Sequence, residues 1–150
     1  MELKKRIDGN LKGAMLAKDT AKVTVLRGLK ATILDMEVAE GKRDEGLGDA
    51  EIERLLMKEI KKRKEAIAMY EANGREDLVK SEQFEQGVLE GYLPEQMSEV
   101  EIVAKIDEVL KGVDGGAANL GMVIGQVKAL VGNKADGATV ARLVKERMAG

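Results

Sequence analysis

The position of the one proline constrains the fold of this 150-residue chain more than any other residue. Proline has no backbone N–H and disfavours the α conformation in the residue before it, so a helix has to end just before Pro94. Ser98 and Glu101 follow with the spacing of a capping box, in which each side chain accepts a hydrogen bond from the other residue's backbone N–H. We therefore expect an N-terminal domain of residues 1–93 and a C-terminal domain of residues 94–150.

Apolar residues recur along the whole chain with the helical period of about 3.6 residues, and no stretch alternates apolar and polar residues long enough to predict a strand. The predicted fold class is all-α, with a four-helix N-terminal part and a small C-terminal three-helix bundle. The predicted caps are Asp19 or Thr20, Asp49, Ser98, Asn119 and Asp136. The helices are expected at about 2–17, 20–41, 49–72, 75–92, 99–111, 119–131 and 137–148, with Gly115-Gly116 as the loosest connector.

The apolar stripe of each helix predicts its buried side. In the second helix Val23, Leu34 and Val38 widen the stripe, which predicts that this helix is the central one. The C-terminal helices are expected to close around one small core. Other residues expected to face inward are Met15, Leu78, Phe84, Val88 and Leu89 in the first part, and Ile102, Ile106, Val109, Leu120, Val123, Val127, Val131, Val140, Val144 and Met148 in the second.

The charge balance excludes several classes of protein. With 25 basic and 27 acidic residues the net charge is −2, so no global field attracts nucleic acid or a membrane. The first residues, Met1 to Arg6, precede no apolar run of the kind a signal peptide has, and no stretch is long enough to span a membrane. No heptad seam persists along the chain. We expect a soluble, cytoplasmic monomer.

The missing residue types exclude most catalytic chemistry. The chain has no histidine and no cysteine, which removes ordinary zinc sites, the usual proton shuttle and thiolate nucleophiles. Its three aromatic residues, Tyr70, Phe84 and Tyr92, provide no stacking platform for unpaired bases. The sequence therefore predicts no catalytic, metal-binding or cofactor-binding residues, and it favours a protein that is not an enzyme.

Several cations lie on or beside the apolar stripes. Arg63 lies within the stripe of the third helix, and we expect it to pair with Glu59 or another carboxylate, the alternative being a binding groove. Arg27 and Lys30 flank the stripe of the second helix and are expected to pair with acids of the fourth. The lysines nearest Arg63 face away from the stripe, where a solvated face is favoured over a phosphate site. The acids of the fourth helix are Glu82, Glu85 and Glu90. The lysines nearest Arg63 are Lys58, Lys61, Lys62 and Lys64.

The last two predicted helices carry a local excess of positive charge. From residue 119 to residue 150 there are five basic and two acidic residues, a difference of three. Such a patch can position a phosphate backbone without recognising bases, although ordinary surface charge explains it nearly as well. The candidate nucleic-acid-binding cations are Lys128, Lys134, Arg142 and Lys145.

Gly121 and Gly125 add a second feature to this region. Each glycine within a helix costs about 1 kcal/mol relative to alanine, so a close approach of another group is expected at both positions. One interpretation is tight helix packing within the small bundle. The other is an open backbone surface on which RNA or another protein can lie.

The order of several motifs resembles the YqeY-like family over essentially the whole chain. The motifs are Arg27-Gly28-Leu29-Lys30-Ala31, Lys61-Lys62-Arg63-Lys64-Glu65-Ala66, Arg75-Glu76-Asp77-Leu78, Tyr92-Leu93-Pro94-Glu95-Gln96, Leu120-Gly121-Met122-Val123-Ile124-Gly125, and Ala135-Asp136-Gly137 through Leu143-Val144-Lys145.

The YqeY-like family is similar to the tail of the B subunit of glutamine-dependent tRNA amidotransferase. That resemblance implies an all-helical, two-part fold and a tail that helps to engage tRNA. The portions of the amidotransferase that hydrolyse glutamine and use ATP have no counterpart in this chain. A carbon–nitrogen ligase activity with glutamine as amide donor is therefore implied by association only.

Three hypotheses follow for the function. The leading one is a non-catalytic accessory protein that binds tRNA or another structured RNA through Gly121, Gly125 and the four candidate cations. The second is a protein-interaction module that docks on an amidotransferase or an aminoacyl-tRNA synthetase. The third is a contribution to amide transfer itself, as a carbon–nitrogen ligase.

Overall fold

The computed structural model describes residues 2–113 and 119–150. These residues form seven α-helices and one short 3-10 turn, and no strand occurs within this part of the chain, which confirms the all-α prediction. The predicted Gly115-Gly116 connector lies outside the described residues. Two compact units are distinguished, residues 1–93 and 94–150. That each unit folds as a domain stays a prediction.

The first unit contains four helices: α1 (Glu2–Leu16), α2 (Thr20–Ala39), α3 (Asp49–Ala72) and α4 (Glu76–Glu90). Asp19 caps α2, because its Oδ1 accepts a hydrogen bond from the Lys22 N–H at 3.3 Å. The prediction that Asp49 caps α3 is wrong: the cap is Gly48, whose N–H donates to the Glu51 carboxylate. Asp49 instead accepts a hydrogen bond from the Leu3 N–H at 3.1 Å, which joins α3 to the start of α1.

The core of the first unit lies between paired helices. α3 packs along α4 and α1 along α2, with further contacts between α1 and α3 and between α2 and α4. The buried side chains come from one narrow stripe of each helix, joined by Leu47 from the loop before α3. They are Leu3, Ile7, Leu11, Leu26, Leu29, Ile33, Leu47, Ile52, Leu55, Leu56, Ile60, Leu89 and Tyr92.

Four side chains predicted to be buried are exposed. In α2, Leu34 and Val38 are 44% and 58% exposed, so the prediction of a wide buried stripe in that helix is wrong. Met15 and Phe84 are 48% and 44% exposed, while Ala14 and Val79 are buried nearby. All four are apolar residues outside the buried stripe of their helices, so the buried stripes are narrower than the sequence pattern predicts.

One charged residue is buried in the first unit. Glu37 is 3% exposed, and its Oε2 accepts hydrogen bonds from the Lys4 ammonium at 2.7 Å and the Leu47 N–H at 2.9 Å. The bond from Lys4 outweighs the burial and lowers the pKa of Glu37 below its usual range, with a further contribution from the Leu47 N–H. Glu37 thus fixes the end of the α2–α3 loop against α1 and α2.

The second unit contains α5 (Glu99–Lys111), α6 (Leu120–Val131), the 3-10 turn Gly132–Lys134 and α7 (Gly137–Ala149). The capping box is confirmed, since the Glu101 N–H donates to Ser98 Oγ at 3.2 Å and the Ser98 N–H to Glu101 Oε1 at 3.2 Å. Asn119 and Asp136 cap α6 and α7 as predicted. Before α5, the Met97 N–H donates to the Lys134 carbonyl at 2.8 Å, which ties this segment to the 3-10 turn.

The three helices of the second unit enclose their own core. The predicted inward-facing residues are confirmed except for Leu120, which is 38% exposed because it is the first residue of α6 and lies at the edge of the stripe. Ala135 and Leu143 complete the core, and Met148 packs against it while partly buried. The buried set is Ile102, Ile106, Val109, Val123, Val127, Val131, Ala135, Val140, Leu143 and Val144.

The substitution Glu37→Gln tests the buried carboxylate. At pH 7 it should lower the free energy of unfolding by about 1–2 kcal/mol, because a charged acceptor is replaced by a neutral one. The folded-state pKa is below the unfolded value, so the contribution of the charge is complete above about pH 4.5 and is lost as the pH falls through the folded-state pKa. The difference from the wild type should therefore shrink between pH 7 and pH 3 in urea titrations. The exposed Glu65→Gln is the matched control, and an equal loss in that variant would contradict the assignment.

Candidate nucleic-acid interface

Two glycines leave open backbone on the exposed face of α6. Gly121 and Gly125 are both exposed, and a Cβ at Gly125 would meet nothing within 4 Å among the described residues. At Gly121 the nearest atom to such a Cβ is Asn119 Oδ1, at the ordinary contact distance of 3.7 Å. Tight packing inside the bundle is therefore the wrong interpretation of these glycines. Within the described part of the chain, nothing occupies the strip that they leave.

Two lysines lie at the corner between α6 and α7. A Cβ at Gly137, the first residue of α7, would be 3.3 Å from Lys128 Cε and 3.4 Å from its Nζ. The Lys128 side chain therefore extends from α6 across the beginning of α7. Lys134 lies in the 3-10 turn between the two helices and is exposed. The fold thus brings two of the candidate cations to one corner, next to the end of the glycine strip.

The candidate cations differ in whether a carboxylate neutralises them. Arg142 is held by Glu99 at 2.8 Å and by Glu146 at 3.0 Å, and both carboxylates, Glu99 first, raise the pKa of its guanidinium. Arg147 is similarly held by Asp107, with a nitrogen–oxygen distance of 2.9 Å. By contrast, Lys128, Lys134 and Lys145 have no carboxylate oxygen within 4 Å in residues 2–113 and 119–150. The positive charge available to a partner therefore comes mainly from the three lysines.

In the first unit the arginine within the apolar stripe is paired, as predicted. Arg63 lies 2.7 Å from Glu85, 3.3 Å from Glu82 and 3.9 Å from Glu59, so one guanidinium joins α3 to α4. The neighbouring lysines 58, 61, 62 and 64 are exposed, as a solvated face requires.

The predicted partners of Arg27 and Lys30 are wrong. Lys30 pairs with Asp8 of α1 at 2.8 Å, because this side of α2 faces α1 rather than α4. Two of the α4 carboxylates that were expected to hold it are taken by Arg63, and Glu90 accepts a hydrogen bond from Gln86. Arg27 is exposed and has no ion pair in the described part of the chain. These cations therefore do not combine into a single site.

The described residues contain no group of acidic side chains arranged to hold a metal ion. Among the described helices, none combines the length and apolar character needed to cross a bilayer. The glycine spacing singled out Gly121 and Gly125 from sequence, but it left tight packing and an open strip as alternatives. The pairing of Arg142 with Glu146 is a local i,i+4 pair, whereas its pairing with Glu99 carried no sequence signal, because Glu99 is 43 positions away in the chain.

Comparison with known proteins places these features in a family. The model of the Yqey-like protein family matches residues 4–148. A protein of Eremothecium gossypii, named altered inheritance of mitochondria protein 41, mitochondrial, is 37% identical over 123 residues, which are 79% of this chain and 66% of that protein. Proteins of the same name from Pyrenophora tritici-repentis and Kluyveromyces lactis are 29% and 38% identical over 94% and 67% of this chain, and over 78% and 55% of their own length. The chain thus spans between about half and four fifths of these relatives.

The expected cytoplasmic location needs correction. Each of these relatives is named as a mitochondrial protein, which contradicts that expectation. The names state no binding partner and no reaction.

The substitution Gly125→Ala tests whether the glycine strip is free of packing. A methyl group at an open helical position should raise the free energy of unfolding by about 0.5–1 kcal/mol, as measured by thermal or urea denaturation. Gly132→Ala is the matched control, because Gly132 has a φ of +55° and alanine there should destabilise the chain by about 1 kcal/mol or more. A loss of stability in Gly125→Ala would mean that the position is packed after all.

Proposed function

The chain belongs to the YqeY-like family, and from that premise we propose that it is a non-catalytic accessory protein that binds tRNA or another structured RNA. The observation that carries the proposal is the open glycine strip of α6, which ends beside Lys128 and Lys134 at the α6–α7 corner. Gly125, in the interior of α6, reduces stability, and Gly121 lies in the first turn; no contact in the described residues compensates for the missing side chain at Gly125. A ligand that needs close approach to the helix accounts for their presence.

The chemistry of this surface suits a sugar–phosphate backbone. A helix face without side chains lets a nucleic-acid strand approach within van der Waals distance, and unpaired lysines at its end attract phosphates. The surface offers no aromatic side chain and no planar fork of donors aimed at base edges, so it positions RNA by shape and charge without recognising a sequence. Arg142, which is held by two carboxylates, contributes less than the three lysines in this proposal.

A second candidate is docking of a partner protein, such as an amidotransferase or an aminoacyl-tRNA synthetase. The same glycine strip would admit the close approach of a partner helix, and Leu130 on α6 is 58% exposed. Retention of the partner after nuclease treatment separates this candidate from RNA binding. Amide transfer by the chain itself would require turnover dependent on glutamine and ATP, and no feature of the described residues supports it.

The double substitution Lys128→Glu with Lys134→Glu tests the RNA proposal. It should weaken binding of labelled bulk tRNA by about tenfold or more and lower the slope of log affinity against log salt by roughly 1.5 to 2, since two phosphate contacts are lost. Fluorescence anisotropy at low and moderate salt measures both quantities.

The matched control is Lys58→Glu with Lys61→Glu on α3, which changes the net charge equally on exposed lysines. Arg142→Gln should have a smaller effect than either lysine substitution within the corner. The proposal is wrong if the control weakens binding as much as the corner variant, or if the wild-type chain binds tRNA weakly and independently of salt.

A further inference from the structure

A groove in the first unit has a chemistry that differs from the α6 face. It lies between α1 and α4, has a volume of about 410 Å³, and includes Lys22 from the first turn of α2. We propose that this groove binds a nucleoside phosphate, with the base against Phe84 and the phosphate between Arg6 and Lys22. The inference does not depend on RNA binding by the second unit, because the two surfaces share no residue.

The groove is positively charged although the chain as a whole is not. Arg6 and Lys22 line it, and no aspartate or glutamate does. Neither cation has a carboxylate oxygen within 4 Å in the part of the chain that the structure describes. The nearby carboxylate of Asp19 caps α2 and does not line the groove. An anionic group entering here therefore meets two cations whose charge no acid neutralises.

Arg6 is held in position before any ligand binds. Its guanidinium carbon lies 5.1 Å from the centre of the Tyr92 ring, and its Nη2 donates a hydrogen bond to the Gly91 carbonyl at 2.9 Å. The Tyr92 hydroxyl in turn accepts a hydrogen bond from Asn10 Nδ2 at 2.8 Å. Since the planar donor is already oriented, binding a phosphate immobilises little additional side chain.

Phe84 provides the aromatic surface that the sequence did not predict. It is the only phenylalanine of the chain, and it is 44% exposed on α4 instead of buried. Gly87 follows one turn later, and a Cβ there would meet nothing within 4 Å among the described residues, so the space beside the ring stays open. A partly exposed ring bordered by open space is the arrangement on which nucleobases stack.

The amide of Gln83 favours a nucleoside over other anions. Gln83 lines the same groove and makes no hydrogen bond within residues 2–113 and 119–150. A carboxamide offers a donor and an acceptor side by side, which matches the edge of a base. An acidic peptide would also satisfy the two cations, and a peptide is therefore included among the probes below. The proposed ligand is therefore a nucleoside monophosphate, which is either a free nucleotide or the 5′ end of an RNA strand.

Titration of the full chain, followed by amide chemical shifts, tests the groove. The probes are AMP, adenosine, inorganic phosphate, a short RNA with a 5′-phosphate, the same RNA with a 5′-hydroxyl, and the peptide Asp-Phe-Asp. AMP should shift the groove amides and bind about tenfold more tightly than adenosine or phosphate alone, because base and phosphate are held together. If the 5′-phosphorylated RNA binds as tightly as AMP, the ligand of the groove is the 5′ end of an RNA strand. If that RNA does not bind, the ligand is a free nucleotide.

Variants link the response to the groove. Phe84→Ala and Lys22→Gln should each weaken AMP binding by about tenfold, and Gly87→Leu should abolish it by filling the open space. Lys58→Gln and Met69→Ala, which change an exposed lysine and a 63% exposed methionine outside the groove, are the controls. Thermal unfolding checks that each variant is folded, and all three groove variants should keep the tRNA affinity of the α6 face.

The proposal is overturned if AMP and both RNAs leave the groove amides unshifted, or if Asp-Phe-Asp binds as tightly as AMP. It is also overturned if folded Gly87→Leu binds AMP like the wild type. Loss of tRNA binding in the α6 variants has no bearing on these outcomes, so the two proposals fail separately.

Discussion

Ion pairing between helices determines which cations of this chain are available to a partner. Arg63 holds α3 and α4 together through three carboxylates, and Lys30 joins α2 to Asp8 of α1. In the second unit, Arg142 and Arg147 join α7 to acids of α5. Each pair contributes little where it is exposed, but together the pairs fix how neighbouring helices align and neutralise charges that otherwise look like binding residues.

Some of the unpaired cations lie on two surfaces with different chemistry. On α6, open backbone at Gly121 and Gly125 lies beside lysines and offers no ring, which suits a phosphate backbone. In the first unit, Arg6 and Lys22 share a groove with an exposed phenylalanine, which suits a ring and a phosphate together. The two proposals rest on these two surfaces separately, because no residue is common to both.

Features set by nearby residues could be predicted from sequence, and features set by distant ones could not. The helices and the Ser98, Asn119 and Asp136 caps follow from residues within one turn of each other. Asp49 failed as a cap because its partner, the Leu3 N–H, is 46 positions away. Phe84 lies on an apolar stripe, and only the positions of neighbouring helices decide that it is exposed. Distance along the chain also hid the pairing of Arg142 with Glu99, and the glycine spacing on α6 left an open strip and tight packing as equal alternatives.

In the proposed function, the second unit binds RNA through the α6 face and the α6–α7 corner. Amide chemical-shift mapping of the full chain during titration with bulk tRNA locates the binding surface without substitutions. We expect the perturbed amides to cluster from Gly121 to Gly137 and near Lys145, and to return to their free positions as salt is raised. Perturbations centred on the lysines of α3, or none at low salt, would contradict the proposed function.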